Sequence, residues 1–206
     1  MNRRIAYVKD TLFIDGYFLD VMDKYTLLES ADSGKSSLTV ILNNTNNLCI
    51  EDFDNSKKCS FYKQEKIFGM QKSVDHIVFQ NCTGACTLHL IEMKSTIGYT
   101  TFENIKLKVR SSYLNALAVA SALGITISKV IAHSTYSQLK FDSNTNPNPR
   151  MYASPLGERA YDVKREEWDQ NVMHINLGDI IDVVHNPIQM TKTDDGLTGT
   201  LILNTD

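Results

Sequence analysis

Two apolar runs, VDHIVF (Val74 to Phe79) and TLHLIEMK (Thr87 to Lys94), flank the short segment QNCTGAC. Their β-branched and aliphatic content, and the small polar stretch between them, predict a β-hairpin with Thr83-Gly84 at its turn. A hairpin symmetrical about that pair sets Asp75 directly opposite Glu92, with Cβ atoms ~4.5–5.5 Å apart. Lys94, two residues beyond Glu92, shares the same face of the strand. A slip of one residue would scatter the three groups, so the register decides what this chain can build.

Two carboxylates ~4.5 Å apart repel by about 4 kcal/mol at an effective dielectric near 20. One resolution is proton uptake by one of them. The other is a divalent cation: Mg²⁺ (or Mn²⁺) prefers oxygen ligands and is held by one or two carboxylates with waters and substrate phosphates. The Met93 backbone carbonyl is a natural further ligand. Lys94 is then placed to orient or help deprotonate a water, or to stabilise developing negative charge. That is the chemistry of phosphodiester hydrolysis. The bland alternative, an ion pair of Glu92 and Lys94 on a sheet edge, is worth little, and the flanking LHLI and Met93 favour burial instead.

The remaining chain reads as α/β. Part of residues 10–30 reads as a helix, SLTVIL (Ser37 to Leu42) as a strand, NNTNN as a turn, and CSFYKQEKIF as containing a further strand. After the hairpin and the loop STIGYTT comes a long helix, FENIKLKVRSSYLNALAVASALG. Leu107, Leu114, Leu117 and Ala118 fall on one face of it, and Gly124 stops it. ITISKVIAHST is a strand, SNTNPNPR (Ser143 to Arg150) a linker-like loop and GERAYDVKREEWDQ a helix, while GDIIDVVHNPIQM is open to either reading. The expected organisation is a core over residues 1–142 and a C-terminal extension over 150–206, packed on the core or serving as an interaction element.

Asp75, then Glu92-Met93-Lys94 on a second strand, followed by a helix and a strand, resembles the PD-(D/E)xK nuclease superfamily, the restriction-endonuclease-like fold. The resemblance covers roughly residues 10–140. It implies an α-β-β-β-α-β core, a mixed central sheet flanked by helices. It also implies a metal-dependent endonuclease of a defence or mobile-element system, in which Asp75 and Glu92 bind the metal and Lys94 assists the attacking water. The residue before Asp75 is Val74 where proline is common, and a further acidic ligand from upstream would be Glu29 or Glu51. The alternative is a catalytically silent or partner-activated subunit that binds nucleic acid or acts as a scaffold.

The net charge of −3 gives no global case for nucleic acid, but residues 57–72 and 103–110 are locally basic. Lys72, Lys106 and Arg110 are the expected contacts to a phosphate backbone, DNA above all, with self-association or a partner protein completing the grip. Lys108 belongs to the same stretch or to a wet helix face. SGKS (Ser33 to Ser36) lacks the upstream glycine of a phosphate-binding loop and precedes a strand, so it is not one. Cys49, Cys59, Cys82 and Cys86 make a poor zinc signature. His76 and His89 alternate away from the Asp75/Glu92 face, whereas His133 could approach it; Trp168 reads as a packing anchor. No apolar stretch approaches the roughly 18 residues that span a bilayer, and Asp10 and Asp15 interrupt the N-terminal apolar run. A cytoplasmic protein with reduced thiols is the expectation.

Overall fold

The computed structural model describes residues 3, 5–7, 16–21, 23–31, 34–42, 46–51, 53, 70–83, 85–141 and 164–203. The hairpin forms between β5 (His76–Gln80) and β6 (Ala85–Glu92). Its antiparallel register runs from His76 opposite Ile91 to Gln80 opposite Thr87, and carried one step further it faces Asp75 with Glu92. Thr83 lies in the turn; Gly84, the other expected turn residue, lies outside the described residues.

The hairpin sits at the centre of a seven-stranded sheet. β1 (Leu19–Val21) and β4 (Asn47–Ile50) extend it on one side. On the other, β8 (Thr126–Tyr136) runs parallel to β6, followed by β11 (Ile180–Gln189), again parallel, and by β10 (Val172–Asn176), antiparallel. The order across the sheet is β1-β4-β5-β6-β8-β11-β10. Between β6 and β8 the chain crosses through α1 (Tyr99–Leu123), which ends at Gly124 with φ 71°, a left-handed position that glycine takes without strain.

One face of this sheet is covered by α1. The other is covered by a four-stranded sheet of β12 (Thr191–Thr193), β13 (Gly196–Leu203), β3 (Gly34–Leu42) and β2 (Lys24–Ala31), in that order. Among the described residues, the sheet expected to be flanked by helices carries α1 on one face and a second sheet on the other. Leu27, Leu38, Val40, Leu42, Leu201 and Leu203 point inward from the small sheet onto Cys49, Val78, Ile91, Met93 and Ile188 of the large one. Sheet on sheet buries the same alternating apolar face that a helix would otherwise cover. A third, two-stranded sheet joins β7 (Thr96–Gly98) to β9 (Gln138–Lys140).

Two further expectations change. Within the stretch expected to hold a helix, Leu19–Val21 and Lys24–Ala31 are strands, because Tyr25, Leu27 and Glu29 alternate with exposed Thr26, Leu28 and Ser30 and β3 offers a partner, while residues 10–15 lie outside the described residues. The long helix forms as expected but turns another face inward. Phe102, Ile105, Val109, Ala116, Val119, Ala120 and Leu123 are buried, while Leu117 and Ala118 are exposed. The C-terminal region supplies strands to both large sheets. Residues 164–169 are helical, and Trp168 packs edge-on to Phe102 and Tyr136, with ring centroids 5.6 and 5.5 Å away. CSFYKQEKIF, the SNTNPNPR loop and residues 157–163 of the expected helix lie outside the described residues. No helix among the described residues is long and apolar enough to cross a membrane.

Candidate active site

Asp75 precedes β5 and Glu92 ends β6, so antiparallel pairing brings both to the same end of the sheet. That end is also the carboxyl end of the parallel strands β6, β8 and β11, where open α/β sheets commonly place their ligands. The lead-in to β5 is fixed by α1. Val74 N–H donates to Ser112 Oγ (2.9 Å) and Ser111 Oγ donates to the Met70 carbonyl (2.8 Å). These contacts explain why serines lie on the buried face of the helix.

Asp75 is nearly buried and Glu92 wholly so. Asp75 Oδ2 accepts the Met93 N–H at 2.6 Å, which locks its carboxylate against the end of β6. Lys94 Nζ lies 2.5 Å from Glu92 Oε1 and 3.7 Å from Asp75 Oδ2, and donates to the Met93 carbonyl at 3.0 Å. Its backbone is pinned to β8: Lys94 N–H donates to Thr135 Oγ1 (3.0 Å), whose hydroxyl donates back to the Lys94 carbonyl (3.2 Å). The expected trio is thus brought together.

A fourth member joins it. Lys108, from the sheet-facing side of α1, reaches both Glu92 oxygens at 2.7 and 3.0 Å and Asp75 Oδ1 at 3.5 Å. Burial pushes the Glu92 carboxyl up to about 7, and Asp75 adds to this; Lys108 and Lys94 oppose it. Lys108 was grouped with the phosphate contacts in the sequence, but its position, three beyond buried Ile105 and four before buried Ser112, turns it inward.

The other candidates are placed as follows. Lys106 is held by buried Glu167 at 2.8 Å to each oxygen. Lys72 donates to Asn104 Oδ1. Arg110 is partly buried on α1. Glu51 follows β4, and Glu29 sits on β2, where it lines a cleft that Met93 and Lys94 also border. His133 does not approach the site; it lies on the opposite face of the sheet, bonded to His89. Cys49 packs in the core under the small sheet, Cys82 and Cys86 in the core under α1, so the sheet itself separates them; Cys59 lies outside the described residues.

On that opposite face the buried polar groups form a directed chain. Gln80 Nε2 donates to the Leu203 carbonyl (3.0 Å), which leaves Gln80 Oε1 to accept His89 Nε2–H (2.9 Å). His89 Nδ1 then accepts His133 Nε2–H (3.0 Å), and His133 Nδ1 accepts an Asn186 amide N–H (3.1 Å). Each histidine is neutral in this chain. Burial holds His89 down to about 3, helped by Lys129, and holds His133 well below the usual range, helped by His89 and His185.

For a divalent cation, Asp75 and Glu92 offer hard oxygen donors and already hold cationic nitrogen between them, so the donor set fits in type. Among the described residues no cluster of three metal-ligating side chains forms. No family model, curated protein or solved structure matches the chain.

Proposed function

We propose that the protein is a metal-dependent phosphodiesterase acting on nucleic acid, a DNA endonuclease in its most specific form. The observation that carries this reading is the convergence of Asp75, Glu92 and Lys94 at one end of the central hairpin. The succession β4-β5-β6-α1-β8, interrupted only by the short β7 before the helix and with β6 and β8 parallel, supports the likeness to the PD-(D/E)xK nucleases. Asp75, Glu92 and the Met93 carbonyl would hold Mg²⁺ or Mn²⁺, and Glu29, lining the cleft that Lys94 borders, and Glu51, following β4, are the upstream acids to be weighed as a further ligand. Such an ion, when bound, polarises a phosphoryl oxygen and lowers the pKa of a water.

The chain's own groups have separable tasks. The Met93 N–H fixes Asp75, leaving Oδ1 as the oxygen not engaged by that bond. Lys94, partly exposed and bonded to its own strand's carbonyl, is positioned to orient a water or neutralise charge on a phosphate. Lys108 balances the buried carboxylates from the helix side.

A second reading, a catalytically silent or partner-activated subunit, is favoured by one observation: Lys108 contacts both carboxylates and so supplies an internal cation. One gel separates the two. Supercoiled plasmid, linear duplex, single-stranded DNA and RNA are each incubated with Mg²⁺, Mn²⁺ or chelator, beside Lys94→Ala. The nuclease reading expects metal-dependent nicking that falls about a hundredfold or more in the variant. No cleavage of any substrate by the unaltered protein sinks that reading in favour of the second.

A further inference from the structure

Gly34, Lys35 and Ser36 of the SGKS stretch, which cannot be a phosphate-binding loop of the usual strand-to-helix kind, open β3. Lys35 and Ser36 line a cleft of about 280 Å³ together with Glu29, Lys94, Ser95 and Lys192. Glu29 of β2, the start of β3, Lys192 of β12, the start of β13 and the residues that follow β6 converge on it. Lys94 is shared, forming both the cleft wall and the edge of the Asp75/Glu92 cluster.

We propose that this cleft seats the sugar-phosphate backbone of a nucleic-acid strand, delivering it to the Asp75/Glu92/Lys94 site; the proposal rests on the nuclease reading. Three lysines face one glutamate in a chain whose total charge is −3, so the cleft is a local cationic site on an acidic protein. Lys94 is engaged by the buried carboxylates, whereas Lys35 and Lys192 are exposed and no ion pair with a described residue engages either. The hydroxyls of Ser36 and Ser95 add donors suited to phosphate oxygens.

What the lining lacks, among the described residues, is equally informative: no aromatic ring is present to stack a base. Recognition here reads charge and backbone, not sequence. The geometry is also fixed from within. At Gly196 a Cβ would collide with the Lys35 carbonyl oxygen, and its φ of 132° suits glycine alone, so the starts of β3 and β13 approach through bare backbone. That close approach brings Lys35 and Lys192 to one opening.

The test measures binding without catalysis. Fluorescein-labelled single-stranded and duplex oligonucleotides are titrated with the full chain in chelator, by anisotropy, over a series of salt concentrations. Compared are the unaltered protein, Lys35→Ala/Lys192→Ala, Lys35→Ala alone, and Lys24→Ala as an exposed control. The double variant is expected to bind about tenfold more weakly and to lower the slope of log K against log salt by about one for each lysine removed. Lys24→Ala should bind as the unaltered protein does. Equal binding by the double variant, or no binding of either oligonucleotide by the unaltered protein, overturns the proposal. Because both lysines are exposed, thermal melting should be unchanged, and the single variant keeps the test valid if the double one is not. Cleft-dependent binding with no cleavage under any metal would retire the nuclease reading and leave the cleft standing. Cleavage with cleft-independent binding would do the reverse.

Discussion

Strand β6 buries polar groups on both its faces and treats them in opposite ways. Towards α1, Glu92 is charged or readily charged, meets two lysines, and lies at an edge where Lys94 is about a third exposed. Towards the small sheet, His89 is neutral and sits in a closed chain from Leu203 to Asn186 in which each ring nitrogen of the two histidines has one partner. Charges kept beside an opening cost desolvation and are worth keeping only where something from solvent is met. A sealed, fully satisfied neutral network rigidifies and specifies a core. The contrast agrees with the proposed site at the open end of that sheet.

The largest expected effect attacks the sealed side. On that side His89 is held to about 3 against an ordinary 6.5, and His133 is lowered too; His185, on the α1 face beside Phe102 and Trp168, is also held to about 3 and acts in the same direction. A base whose folded pKa is depressed leaves stability intact above 6.5, and stability is lost as pH falls towards 3, because the unfolded chain takes the protons first. Each such group costs about 1.4 kcal/mol per pH unit below 6.5. Glu92, raised from 4.5 to about 7, runs the other way over that interval, one group against three. Acid titration followed by circular dichroism should therefore show cooperative unfolding at mildly acidic pH, on the order of pH 4–5. A fold that persists unchanged to pH 3 would contradict the neutral chain.

The open side should respond to removal of a partner. Glu92→Ala leaves Lys94 and Lys108 facing Asp75 alone and should cost about 3–5 kcal/mol in urea unfolding. Glu92→Gln keeps the volume and a carbonyl acceptor and should cost clearly less. Equal losses would mean that packing, not charge, governs the site. The smallest effect belongs to the surface: Lys72→Ala removes one bond to Asn104 and should change stability by no more than about 0.5 kcal/mol.

The hairpin was legible because its information is local: alternating apolar residues, a short turn and a two-residue period fix the register that joins Asp75, Glu92 and Lys94. Helix α1 was legible as an element but not by its inward face, since Ser111, Ser112 and Asn115 are buried by bonds to neighbours that no periodicity announces. Lys108 was within reach of the same reasoning, because a wholly buried carboxylate beside another asks for more than one cation. The small sheet was not legible. β2 carries too few apolar residues to declare its period, and β3 finds its second partner in β13, at the far end of the described chain.

That last pairing has a consequence in time. Leu38 sits beside Gly199, Val40 beside Leu201, and Leu42 beside Leu203. A chain still emerging from the ribosome can zip the hairpin and wind α1 from neighbouring residues, but it has no means of closing the small sheet until its residues 196–203 have been made. Until then one side of β3 is an open strand edge, and Leu27, Leu38 and Val40 lack the leucines of β13. Such long-range closure is slow and leaves the nascent protein adhesive. The stretch that sequence reading set aside as an extension is the one whose arrival ends that exposure.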